Sequence, residues 1–154
     1  MKKIKFVIES DLANVELIGL SVNSICSFIP LPEREIFQIE LCVIEAVNNS
    51  IIHAYNCELI HQVEVIMSIN EDSLIMEVLD KGKTMAFESL EKATIVPAYD
   101  SADNLEEFAE SGRGLGLIKE FMDKVAYSSD KTANSFKMIK YFNPDFIKME
   151  EAVI

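Results

Sequence analysis

The chain has 154 residues, 49% of them hydrophobic, with 14 basic against 26 acidic side chains and a net charge of −12. That length and apolar content fit one domain with a full core and exclude a disordered chain. The acidic excess repels phosphates, so no direct nucleic-acid partner is expected, and partners with basic patches suit it better.

The first residues, MKKIKFVIESDL, hold an apolar run too short for a signal peptide, and no window approaches the roughly 18 apolar residues of a membrane span. The three cysteines, Cys26, Cys42 and Cys57, are odd in number and fit no metal spacing. They are expected to be buried free thiols in a reducing cytoplasm.

Residues 4–8 read as a first strand. Ser10 or Asp11 is expected to cap a helix running to about 29, with Leu12, Val15, Leu17, Ile18 and Val22 on its apolar face. Pro30 and Pro32 end it. A long apolar helix is predicted over 33–55, including Ile36, Phe37, Ile39, Leu41, Val43, Ile44, Val47 and Ile51. Strands follow over 62–69 and 73–80, joined by the tight turn Asn70-Glu71-Asp72. Residues 81–111 are polar, acidic and irregular, and a connection that long points to a functional loop. A helix is expected over about 114–124, then strands near 125–129 and 135–142. Asn143-Pro144 breaks the last strand, and the tail 144–154 is expected to form a short helix outside a single domain of residues 1–143. This order predicts an α+β two-layer sandwich: one mixed, mainly antiparallel sheet with helices on one face.

Three elements carry possible chemistry. In ELCVIEAVNNSIIHAY, residues 40–55, Glu45, Asn49 and His53 fall at i, i+4 and i+8 and share one helix face. A carboxylate and an amide inside an apolar helix are costly unless paired or used. The same stripe also reads as the solvated face of an ordinary amphipathic helix, and His53 alone as a helix-end histidine. Asp80 ends an apolar strand, with Gly82 two residues later; this suits a turn, or a carboxylate offered to a base amino group with glycine allowing close approach. In ESGRGLGLIKEF, Gly112, Gly114 and Gly116 precede apolar residues at helical spacing, so free N–H groups and the helix dipole would meet an anion, with Arg113 able to pair with phosphate oxygens.

Counting excludes the commoner nucleotide motifs. A P-loop ending at Gly82-Lys83-Thr84 requires glycine at 77, where Glu77 stands, and the dinucleotide fingerprint requires glycine at 117, where Leu117 stands. No HExxH, paired-cysteine or GxSxG pattern occurs.

Taken in order, E-x-x-x-N on a helix, D-x-G after a strand and G-L-G-L opening a helix resemble the ATP site of the GHKL superfamily. EAVNNSIIHAY and GRGLGLIKEFMDKV resemble, within it, the stand-alone anti-sigma-factor serine kinases of bacteria (the RsbW type), over nearly all of residues 1–143. The resemblance implies ATP and ADP as ligands, with Mg²⁺. Glu45 would be the general base for a substrate serine, and Asn49 a ligand of Mg²⁺. His53 belongs to the same motif and is carried with the nucleotide-binding set. Asp80 would accept the adenine amino hydrogen beside Gly82. Gly114, Leu115 and Gly116 would cradle the phosphates with Arg113 nearby, and residues 83–111 would form an ATP lid. The implied partners are a small anti-anti-sigma protein of the STAS type, phosphorylated on serine, and a sigma factor held away from RNA polymerase; a homodimer, a cytoplasmic location and no membrane are also implied. The chain departs from the family pattern at Thr84, at Ala133-Asn134 and in its acidic, glycine-poor lid. That lid motivates an alternative: a nucleotide-binding switch that holds a partner without phosphorylating it.

Overall fold

Alternation along the strands decides the two layers. In β2 (Gln62–Ile69) Val63, Val65 and Met67 are buried, and in β3 (Ser73–Asp80) Leu74, Met76 and Val78 are buried, while the residues between them face the other side half-exposed. β1 (Lys2–Glu9), β4 (Lys124–Ser129) and β5 (Asn134–Tyr141) complete a five-stranded sheet in the order β1-β2-β3-β5-β4. The computed structural model describes residues 1–94 and 113–142. The expected sheet was mixed and mainly antiparallel; among the described strands all pairings are antiparallel. Register sets Val65 beside Val78 and Val78 beside Phe136, and likewise Met67, Met76 and Met138. Each of these buried side chains contributes about 1.5–3 kcal/mol.

The helices cover the apolar face. α1 (Val15–Cys26) and α2 (Glu33–Asn49) form a hairpin closed by Asn23 Nδ2 donating to Glu40 Oε2 at 2.6 Å. Gly19 lets them approach: a Cβ there would stand 2.7 Å from Ile44 Cδ1. α1 is shorter than predicted. Asp11 does cap, but what it caps is a 3₁₀ turn, Leu12–Asn14, by accepting from the Ala13 N–H at 2.9 Å. Ser10 is instead buried, its hydroxyl bonded to the Glu58 carbonyl. The buried face of α1 is Val15, Ile18, Gly19, Val22 and Cys26, so Leu12 and Leu17 of the predicted apolar face are exposed. Phe37 is likewise exposed on α2.

The predicted helix over 33–55 changes winding within its span. α2 ends at Asn49 and one π turn, Ser50–Ala54, follows, closed by the Tyr55 N–H donating to the Ser50 carbonyl at 3.0 Å. Asn56 and Cys57, at φ 50° and 60°, then turn the chain out in the left-handed region without a glycine. Cys26 and Cys42 are buried free thiols, and burial pushes both up to about 12. Cys57 is exposed, contrary to expectation, because the chain has left the helix before reaching it.

Residues 81–111 were read as irregular, yet Phe87–Lys92 forms a short helix, α3. α4 (Arg113–Phe121) holds it from the side. Lys119 Nζ donates to the carbonyls of Leu90, Glu91 and Ala93 at 3.0, 3.1 and 3.0 Å, where a helix end needs donors and a positive charge. The rest of the predicted loop, with Gly112, and the predicted helix in the tail 144–154 lie outside the described residues. Among the described residues no helix is long and apolar enough to cross a membrane. Lys119→Met, which keeps the aliphatic stem and removes the donors, is expected to lower stability by about 1 kcal/mol in urea denaturation.

Candidate functional site

Two buried polar side chains, Ser50 and Asp80, meet between α2, the π turn, the end of β3, α3 and the start of α4. A cavity of about 450 Å³ opens there. Glu45, Asn49, His53, Asp80, Gly114 and Leu115 all line it, which brings together residues far apart in sequence. Gly82, Arg113 and Gly116 do not line it among the described residues. Gly82 sits directly behind Asp80, Arg113 is the half-buried first residue of α4, and Gly116 is buried within that helix.

Asp80 is 8% exposed and its carboxylate is held by donors from three elements. Oδ1 accepts from the Gly82 N–H at 3.0 Å and from Asn134 Nδ2 at 2.6 Å; Oδ2 accepts from Ser50 Oγ at 2.9 Å. The π turn delivers Ser50 to this contact and aims the Ala54 carbonyl at the Lys83 N–H, 2.8 Å away. Isolated π turns are frequent at functional sites because they re-aim side chains without ending the helix.

Glu45 sits on the opposite wall, beside the first turn of α4. A Cβ at Gly114 would collide with Glu45 Oε2, so the glycine makes room for this carboxylate. Burial pushes the Glu45 carboxyl above its ordinary value. One turn on, Asn49 Nδ2 is the buried side-chain polar atom without a partner among the described residues. A carboxylate, an orphaned amide and the first turn of a helix face one space, and such a set can hold a polyanion and accept a proton.

The remaining wall is apolar and aromatic. Tyr127 and Phe136 line it with Met85, their rings 6.4 Å apart, and Tyr127 anchors the segment before α3 by accepting from the Met85 N–H at 2.9 Å. Burial raises the Tyr127 hydroxyl. Sequence reading missed Ser50, Met85, Tyr127 and Phe136. Ser50 next to Asn49 was the available signal: a small polar residue at an otherwise apolar helix position.

The two glycines that crowd the site differ in what they face, which separates their substitutions. At Gly82 a Cβ would meet backbone, the Ala54 carbonyl carbon at 2.5 Å, and backbone cannot give way cheaply. Gly82→Ala is expected to cost about 2 kcal/mol or more in thermal or urea unfolding. At Gly114 the obstacle is the end of a flexible side chain, so Gly114→Ala should fold normally with Glu45 displaced. Glu45 also leaves a pH signature. Its native carboxyl is raised, so its contribution to stability is fully present below the ordinary carboxylate value and lost as pH rises through the native one. Glu45→Gln is therefore expected to be as stable as the wild type or more so at neutral pH, with a flatter stability profile as pH rises above the ordinary carboxylate value.

Comparison with known proteins bears on the chain as a whole. The family model described as "Histidine kinase-like ATPase domain" matches residues 8–140. The serine-protein kinase RsbW of Bacillus velezensis is 28% identical over 140 residues, covering 91% of this chain and 86% of that protein. The anti-sigma F factor of Clostridium acetobutylicum is 35% identical over 130 residues, covering 84% of each. The serine-protein kinase RsbW of Staphylococcus aureus is 29% identical over 135 residues, covering 87% and 83%. With the matched span running from β1 to β5 and enclosing every wall of the cavity, the chain belongs to the histidine kinase-like ATPase family.

Proposed function

We propose that this protein is an ATP-dependent protein serine kinase that doubles as an anti-sigma factor, phosphorylating a serine of a STAS-type anti-anti-sigma partner and sequestering a sigma factor. The observation that carries the reading is the Glu45 carboxylate set against Gly114 at the start of α4, beside the unpartnered Asn49 amide. The names of the relatives support both halves of the activity. The reading includes a homodimer and a cytoplasmic location, on the strength of the family resemblance.

In this reading adenine enters between Asp80 and the Met85, Tyr127 and Phe136 wall, and the phosphates meet the N–H groups of the first turn of α4. Arg113 adds positive charge at that helix start. The unpartnered Asn49 Nδ2 is a donor that suits a phosphate oxygen, and Oδ1 of the same amide would be the hard oxygen ligand for Mg²⁺. Among the described residues no cluster of three or more acidic, histidine or cysteine side chains could hold a metal ion, so the ion would arrive with the nucleotide and share its phosphate oxygens. When bound, Mg²⁺ neutralises phosphate charge. Glu45 removes the proton of the attacking serine hydroxyl at its carboxylate. Burial strengthens it as a base by raising its pKa. Phosphoryl transfer asks the protein for positioning and charge rather than covalent participation, and the cavity supplies both.

The test is phosphoserine formation on a STAS partner. Glu45→Gln is expected to reduce it by at least ~100-fold while calorimetry shows ATP binding retained. Transfer by the variant at the wild-type rate would remove Glu45 from this role. A partner held differently in ATP and ADP, with no phosphoserine formed by the wild type, would replace the kinase by the nucleotide-switch reading.

A further inference from the structure

Asn134 stands where the sequence departs from the family pattern, and its surroundings assign it a task. It is 4% exposed and pairs across the β3–β5 ladder with Asp80. Its Nδ2 donates to Asp80 Oδ1 at 2.6 Å and to the Gly82 carbonyl at 3.1 Å. Carboxylates and carbonyls only accept, so the nitrogen must face them and the amide has one possible orientation. Its Oδ1 accepts from Ser129 Oγ at 2.8 Å and from Thr84 Oγ1 at 3.3 Å, and those hydroxyls lie 3.1 Å apart. Both hydrogens and both lone pairs of the amide are therefore used within the protein. Asn134 does not line the cavity among the described residues and has no capacity left for a ligand.

What Asn134 does is choose between the two oxygens of Asp80. Oδ1 accepts from Asn134 and from the Gly82 N–H, which fills its two lone pairs. Among the described residues Oδ2 accepts from Ser50 alone, which shares the cavity wall, and keeps one acceptor site. We propose that Asn134 is a positioning residue for nucleobase selection: by saturating Oδ1 and fixing the carboxylate plane, it leaves a single acceptor, Asp80 Oδ2, aimed at an exocyclic amino group of a purine. This rests on the reading of the cavity as a nucleotide site. A base with a carbonyl at that position would set acceptor against acceptor, and a base with hydrogen there would leave Oδ2 unmatched. Without the Asn134 amide the carboxylate can rotate, and the preference weakens.

The experiment is a thermodynamic cycle between Asn134 and the amino group of the base. Wild type and Asn134→Ala are titrated by calorimetry with Mg-ATP and with the triphosphate of purine riboside, which lacks the 6-amino group. The expected result is a loss of about 10-fold in ATP affinity for the variant and a loss below about 2-fold for the analogue, the size of one charge-assisted hydrogen bond. Equal losses for both ligands would show a merely structural role and overturn the inference. A second variant, Ser129→Ala, lies outside the cavity lining and removes one hydroxyl that orients the amide. It is expected to show the same ATP-selective loss at smaller size, and it decides the matter if Asn134→Ala does not fold; no selective loss in a folded Ser129→Ala would then overturn the inference. ATP preference unchanged in a folded Asn134→Ala overturns this inference alone, whereas absence of ATP binding by the wild type overturns the nucleotide reading and the inference with it.

Discussion

A carboxylate buried to 8% exposure is tolerable only with donors on it, and Asp80 collects them from β5, from the loop after β3 and from the π turn. Each donor needs its own piece of architecture. Asn134 reaches Oδ1 only if β3 and β5 pair with Asp80 opposite Asn134, and a slip of one residue would turn the amide to the other face of the sheet. Ser50 reaches Oδ2 from a turn of π winding. Gly82 reaches Oδ1 only because nothing but hydrogen faces the Ala54 carbonyl. The same contacts that satisfy one charge thus join the sheet to the helical layer where the cavity opens.

The glycines have a more local meaning than a ligand-centred view suggests. Gly114 is small because Glu45 occupies the adjoining space, and Gly82 is small because the chain passes across the π turn. Close approach is the common cause, but what approaches is part of the protein itself. A helix start and a buried carboxylate can share one corner only when the helix gives up a side chain there. That substitution sacrifices about 1 kcal/mol of helix propensity at each such position.

Much of this was legible in the chain. The strands 62–69 and 73–80 agree with the structure residue for residue, because alternating β-branched and aliphatic residues between turn formers leave little choice. Six of the candidate residues line one cavity because motif spacing encodes which helix face and which strand end they occupy. The π turn was not legible: a helix that widens by one residue has the same composition as one that does not, and the partner it presents Ser50 to, Asp80, lies 30 residues away. α3 was missed because six residues are too few for periodicity to register, and it is held by Lys119 from a distant helix rather than by its own caps. Leu12, Leu17 and Phe37 were placed in the core since apolarity alone does not say which stripe turns inward.

The left-handed exit from the π turn leaves a practical handle on the molecule. Cys57 is the exposed thiol of the three, its N–H bonded to the Ile51 carbonyl at 2.8 Å at the foot of the turn that presents Ser50 and His53. Cys26 and Cys42 are shielded, and with thiols pushed up to about 12 they hold almost no thiolate at neutral pH. A thiol-directed fluorophore would therefore settle on a single native position at the exit of the π turn, whose residues Ser50, His53 and Ala54 line the cavity, in the unmutated chain.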